Sequence, residues 1–180
     1  MAKAKTPRDV KLIIGMLAKD KKLFDKTEEF FIKKFGVIDY RSPVLPFDYT
    51  DYYKEEMGYP LQRRFIAFKK LIPPEHLSGI KVATNSLEEK FSLRGKRQIN
   101  IDPGYISDSK LVLATTKDYY HRIYLGKGIY AEVTLVWKDK TFQSFEWTYP
   151  DYKTREYIDI LSSIRNSYMK ERAYLAKSVH

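Results

Sequence analysis

The chain has 180 residues, 43% hydrophobic and 31% charged, with 33 Lys and Arg against 23 Asp and Glu and a net charge of +10. That balance describes a globular chain long enough for a real core rather than a disordered one, and its positive surplus favours polyanionic partners: a nucleotide, RNA, DNA or a phosphorylated metabolite. No cysteine is present and the histidines are only His76, His121 and His180, which excludes disulfides, thiolate zinc sites and cysteine nucleophiles and argues against a multi-histidine metal site.

From the N-terminus, MAKAKTPRDVKLIIGML is basic and then apolar, but the apolar stretch is short and the charged run Lys19 to Lys22 follows at once. This resembles a signal peptide only superficially. No apolar run approaches the ~18 residues needed to cross a bilayer. The expectation is a cytoplasmic protein with no membrane association. Lys11 to Leu17 reads as a first strand. Leu23, Phe24, Phe31 and Phe35 then share a helical face, with Gly36 as the stop. Val37 to Tyr40 reads as a second strand. In the long connection that follows, Pro43 and Pro46 keep the chain extended, and Asp48 or Thr50 caps a short helix ending at Gly58. Arg64 to Leu71 reads as a third strand. Pro73-Pro74 opens a helix with Leu77, Ile80, Thr84, Leu87 and Phe91 on one face, and Gly95 closes the unit.

In RQINIDPGYI, Ile99 and Ile101 alternate with Gln98, Asn100 and Asp102 in a short strand, which Asp102-Pro103-Gly104 ends as a turn. The order to this point, β-α-β-β-α-β, is that of a ferredoxin-like unit. Leu111 to Thr115, Tyr119 to Leu125, Ile129 to Trp137 and Phe142 to Trp147 follow as an antiparallel meander. A last helix starts near Thr154, with Tyr157, Leu161, Ile164, Tyr168 and Leu175 on one face. The predicted fold is α+β: a ferredoxin-like unit extended by the meander and closed by a C-terminal amphipathic helix. No linker or repeat divides residues 1–180, so one domain is expected.

Five constellations carry chemistry. A three-residue loop, Gly126-Lys127-Gly128, pairs Leu125 with Ile129 and so sets Arg122 opposite Glu132 and Tyr124 opposite Tyr130. That face is an aromatic surface with a central guanidinium, suited to a phosphate, a carboxylate or a stacked base; equally, Arg122 and Glu132 form a cross-strand ion pair. His121 falls on the opposite face with Ile123 and Val133, where a histidine is a hydrogen-bonded core residue or a catalyst. Asn100 and Asp102, at a strand end, offer groups for a hydroxyl, an amine or a cation, with Arg97 beside them for a phosphate. The segment with Asp48, Tyr52, Tyr53, Glu55 and Glu56 is long for a compact domain, as lids and binding loops are. Glu132 and Glu146 are neighbours if residues 138–140 form a three-residue turn, and lie on opposite faces if Asp139-Lys140 is a two-residue turn.

FDYTDYYKEEMG, TNSLEEKF, RQINIDPGYI, LATTKDYYHRIYLGKGIYAEVTL and WTYPDY, in that order, together resemble the prokaryotic family known as domain of unknown function 4416. The resemblance runs from about Gly15 to Tyr168. It implies a small single-domain prokaryotic protein and supplies no activity. A GTP-binding label carried by some relatives has no motif here: there is no G-x-x-x-x-G-K-[ST] loop, and Gly126-Lys127-Gly128 lies between strands rather than before a helix. Two functions fit. One is binding of a phosphate-containing ligand, nucleotide or RNA, through Arg97, Asn100, Arg122, Tyr124, Glu132 and Tyr52. The other is a small hydrolase or group-transfer enzyme using Asp48, Asp102 and His121.

Overall fold

In a computed structural model, residues 3–177 are described. The elements in chain order are β1 (Lys11–Ala18), α1 (Lys22–Phe35), β2 (Ile38–Arg41), β3 (Leu45–Phe47), α2 (Lys54–Met57) and β4 (Leu61–Phe68). There follow α3 (Leu77–Lys90), β5 (Ile99–Ile106), β6 (Lys110–Thr115), β7 (Arg122–Gly126), β8 (Ile129–Lys138), β9 (Thr141–Ser144) and α4 (Arg155–Lys177). The described strands make one antiparallel sheet in the order β2-β4-β1-β5-β6-β8-β7, with β3 beside β4 and β9 beside β8. The architecture is α+β, with a large antiparallel sheet and a C-terminal helix. No helix among the described residues is long and apolar enough to cross a membrane.

KLIIGMLA of β1 is buried along its whole length because helices cover both faces of the sheet. On one face, Leu12, Ile14 and Met16 meet Phe24 and Phe31 of α1 and Ile80 and Leu87 of α3. On the other, Ile13, Phe65, Leu113 and Leu135 meet Tyr157, Leu161 and Ile164 of α4. Asp20 accepts from the Lys22 amide at the start of α1, and the Gly36 amide donates back to Ile32 at its end. Thr154 accepts from the Tyr157 amide at the start of α4. Lys11, almost fully enclosed, donates to Glu171 and Asp39 and so pins the far half of α4 to the sheet.

Several expectations are corrected. Asp102-Pro103-Gly104 is not a turn: β5 continues to Ile106 and pairs with β1 over all eight residues, Lys11–Ala18 against Ile106–Ile99. Gly104 is there for close packing, since a Cβ on it would lie 2.4 Å from the Val112 carbonyl oxygen. The third strand runs Leu61–Phe68 rather than Arg64 to Leu71, because Leu61–Arg63 pair with β3. That edge strand is hidden in the sequence by Pro46. Residues 119–121 form a turn, with the Arg122 amide on the Tyr119 carbonyl, so β7 begins only at Arg122.

The hairpin loop is Lys127-Gly128, both at positive φ, pairing Gly126 with Ile129. The extra residue becomes a bulge near Leu125, and Arg122–Glu132 and Tyr124–Tyr130 pair as expected. Asp139-Lys140 makes the two-residue turn, also at positive φ. Since β9 ends at Ser144, Glu146 is in no strand; it is exposed and accepts from Tyr120. The apolar stripe of α4 stops at Tyr168, and Leu175 is exposed. His180 lies outside the described residues.

Candidate functional site

The sheet splits between β5 and β6. These strands pair only over Gly104–Ile106 and Leu111–Leu113, leaving Ile99–Pro103 without a strand on that side. The peptide groups of Ile101 and Pro103 face the gap, in phase with Tyr105. Pro103 has no N–H to offer a neighbouring strand. Ile101 has both groups satisfied from α3 instead: its amide donates to Glu88 Oε1 at 2.6 Å and its carbonyl accepts from Lys81 Nζ at 2.8 Å. Lys81 and Glu88 stand two helical turns apart and so reach the same strand from one helix face. A cavity of about 600 Å³ occupies the split, well within the size of small-molecule sites.

Its floor is an ion network. Arg63 of β4 is 3% exposed. It donates to Asp151 Oδ2 at 3.2 Å and Asp102 Oδ2 at 3.4 Å. Its guanidinium lies over Phe47 and Phe65 at 5.1 and 5.7 Å from the ring centroids. Gly15 leaves room for it: a Cβ there would sit 3.2 Å from Arg63 Nη1. Asn100 donates to Asp102 Oδ2 at 2.7 Å and accepts from Arg97 at 3.1 Å. Arg97 in turn grips both Glu56 oxygens, at 2.8 and 2.6 Å, and so moors the α2 segment over the split.

Tyr49, Tyr52 and Tyr53 from that segment, with Tyr149 and Tyr152 from the stretch before α4, form aromatic walls. At the rim, Lys117 donates to the Tyr52 hydroxyl at 3.1 Å and lies 4.5 Å from the centre of its ring. Arg122 donates through Nε to Glu132 at 2.9 Å and through Nη1 to the Lys117 carbonyl at 3.0 Å.

The electrostatics follow from burial. Desolvation pushes the Asp151 carboxyl above its ordinary value, with Arg63 pulling back. The same cause raises Glu88, against Lys81, the Ile101 amide and Arg97. Burial opposes the charge on Arg63, but the surrounding Tyr152, Tyr157, Asp151 and Asp102 hold its pKa above that of free arginine. Hydrogen bonds from Arg97 hold Glu56 below the usual carboxylate range. Desolvation keeps Tyr53 and Tyr152 neutral phenols well past ordinary tyrosine values. Among the described residues, no three His, Cys, Asp or Glu side chains cluster as a metal site.

Of the residues singled out from sequence, Asp102, Asn100, Arg97, Arg122, Glu132 and Tyr52 line this one cavity. Asp48 is exposed and is not part of the lining. Tyr124 is exposed on the β7 hairpin, tilted against Tyr130. His121 does not follow the strand alternation, because it belongs to the turn before β7. It stacks on Trp147 at 5.0 Å, and its Nε2 meets Glu132 Oε2 at 3.0 Å, the oxygen that Arg122 also uses. With Tyr119, Tyr120, Glu146 and Trp147 it lines a separate, more open recess, which shares Arg122 and Tyr149 with the main cavity.

Sequence reasoning missed Arg63, Lys81, Glu88, Asp151 and Tyr149. Arg63 had a signal. In LQRRFIAF it takes the place of an apolar residue on the face shared by Leu61, Phe65 and Ala67. Lys81 and Glu88 had a weaker one, as charges bordering the apolar stripe of α3.

These features define an α+β protein whose sheet opens between two central strands into an aromatic-walled, charge-lined cavity. The chain belongs to the family described as Domain of unknown function (DUF4416), whose model matches residues 8–168. No curated protein and no solved structure matches it.

Proposed function

We propose that the protein binds a small phosphate-containing ligand of nucleotide size in the split between β5 and β6. The observation that carries this reading is convergence. Lys81, Arg63, Arg97, Arg122 and Lys117 reach one cavity of about 600 Å³ whose walls are tyrosines. Cations attract the phosphate, and phenol rings cover the apolar faces of a base or sugar. A recessed, partly open cavity of about 600 Å³ suits a small molecule better than an RNA strand, which needs a continuous open groove with stacking platforms. The hydrolytic alternative is less well served, since Asp48, Asp102 and His121 do not share a cavity. The strand order β2-β4-β1-β5, with α1 and α3 on one face, supports reading the first half as a ferredoxin-like unit to which the meander is added.

The test is calorimetric titration with nucleoside monophosphates and triphosphates, beside fluorescence anisotropy with single-stranded RNA, both at low salt. Mononucleotides are expected to bind. Lys117→Ala, a change at an exposed residue, is expected to weaken them about tenfold, the worth of one charge-assisted contact. Absence of binding by any phosphate compound overturns the reading. So does binding that prefers RNA and ignores Lys117.

A further inference from the structure

Resting on the phosphate-ligand reading above, we infer that the cavity takes a phosphorylated sugar, a nucleotide's ribose included. A sugar hydroxyl docks between Lys81 and Asp102 on the floor, and the phosphate lies against Lys117 and Arg122 at the rim.

The floor carries a polar pair held just apart. Lys81 Nζ and Asp102 Oδ1 are separated by 3.8 Å, too far for a direct hydrogen bond. Each has capacity left. Lys81 is 6% exposed, and its ammonium makes one hydrogen bond among the described residues, to the Ile101 carbonyl; two of its three N–H groups remain. Asp102 spends Oδ2 on Asn100 and Arg63, while Oδ1 accepts no hydrogen bond from the described residues. Both side chains line the cavity.

A group placed between them must donate to a carboxylate and accept from an ammonium at once. A hydroxyl does both. A phosphate oxygen, an acceptor only, is repelled by Asp102; an amine cation is repelled by Lys81. The pair therefore selects a hydroxyl against both charged alternatives. Asp151, on the far side of Arg63, adds a second carboxylate to the floor and further disfavours a phosphate there.

The rim has the opposite character. Lys117 has no carboxylate partner among the described residues, and its ammonium is presented beside the Tyr52 hydroxyl. Arg122 points Nη2 towards the Tyr149 hydroxyl at 3.5 Å. The ion pair of Arg122 with Glu132 runs through Nε and leaves Nη2 facing the rim, so that Nη2, the Lys117 ammonium and two phenols make a site for a phosphate. Floor and rim together fix the ligand's direction, with hydroxyl inward, phosphate outward and the tyrosine walls along its rings.

The experiment is calorimetric titration of the full chain with AMP, 2′,3′-dideoxy-AMP, ribose 5-phosphate, adenosine and inorganic phosphate. AMP or ribose 5-phosphate is expected to bind about ten- to a hundredfold more tightly than the dideoxy nucleotide, the range for losing a hydrogen bond to charged groups. Asp102→Asn is expected to remove most of that preference while leaving the response to Lys117→Ala intact. Ribose 5-phosphate equal to AMP identifies a sugar phosphate; AMP stronger by tenfold or more identifies a nucleotide. If the dideoxy nucleotide or inorganic phosphate binds as tightly as AMP, the hydroxyl inference is overturned while phosphate binding stands. If none of the phosphate compounds binds, both fall. The dideoxy comparison uses the unaltered protein, so it decides the matter even if Asp102→Asn fails to fold.

Discussion

Gly104→Ala is expected to cost about 3 kcal/mol, the upper part of the range for overpacking a close-packed interior. For a chain of this size that is a fall of roughly 6–12 °C in the thermal midpoint. The Cβ would lie 2.4 Å from the Val112 carbonyl oxygen and 2.6 Å from Leu113 Cδ2. One of these is backbone and cannot rotate away, so relief requires β5 and β6 to separate. These strands share only a three-residue ladder, Gly104–Ile106 with Leu113–Leu111, and this ladder closes the inner end of the cavity. Gly79→Ala is the contrast. That glycine is inside α3, and its Cβ would meet only Lys127 Nζ at an ordinary 3.6 Å. It should stabilise by about 0.5–1 kcal/mol through helix propensity. Thermal melts of the two variants with opposite signs bear out the close approach at Gly104. Equal melts would mean that the strands are not packed as described.

The same residue shows where a sequence is read correctly and where it misleads. Asp-Pro-Gly is turn chemistry by composition, yet here the proline removes a donor at the strand's unpaired side and the glycine admits a neighbouring carbonyl. Both serve a strand that continues, because β1 offers eight residues of pairing, and tertiary pairing outweighs local preference. What was legible was periodic: the faces of α1, α3 and α4, the buried run of β1, and the pairing of Arg122 with Glu132. Asn100 and Asp102 were legible for the same reason, as polar residues opposite Ile99 and Ile101.

Arg63, Lys81 and Asp151 were not, since each earns its place from partners 88, 20 or 39 positions away in sequence. No local pattern encodes which carboxylate will neutralise a buried guanidinium. His121 failed in a different way. Alternation places a side chain only inside a strand, and the strand begins one residue later.

Arg63→Met is expected to be the most damaging single change at the site, and its cost should depend on pH. Methionine fills much of the same volume, but it leaves Asp151 buried without its cation. Breaking a buried pair from one side costs about 3–5 kcal/mol. In the parent protein, desolvation already holds the Asp151 carboxyl above its ordinary 3.8, and Arg63 opposes that rise. Without Arg63 the value must climb further. A folded state with the higher pKa binds the proton more tightly than the unfolded chain does. Stability therefore falls as pH rises from the unfolded value through the folded one. The deficit of the variant against the parent should be largest near neutrality and shrink as the pH is lowered towards the ordinary carboxylate range, where Asp151 protonates.

Urea denaturation of both proteins across that range reads the deficit directly, because titrations common to both cancel in the difference. Arg63→Met combined with Asp151→Asn should recover most of the loss at neutral pH, since neither partner is then left charged and alone. A deficit that stays constant with pH, or a double variant no better than the single, would mean that Arg63 supports the fold through its packing over Phe47 and Phe65 and not through the carboxylates beneath the cavity.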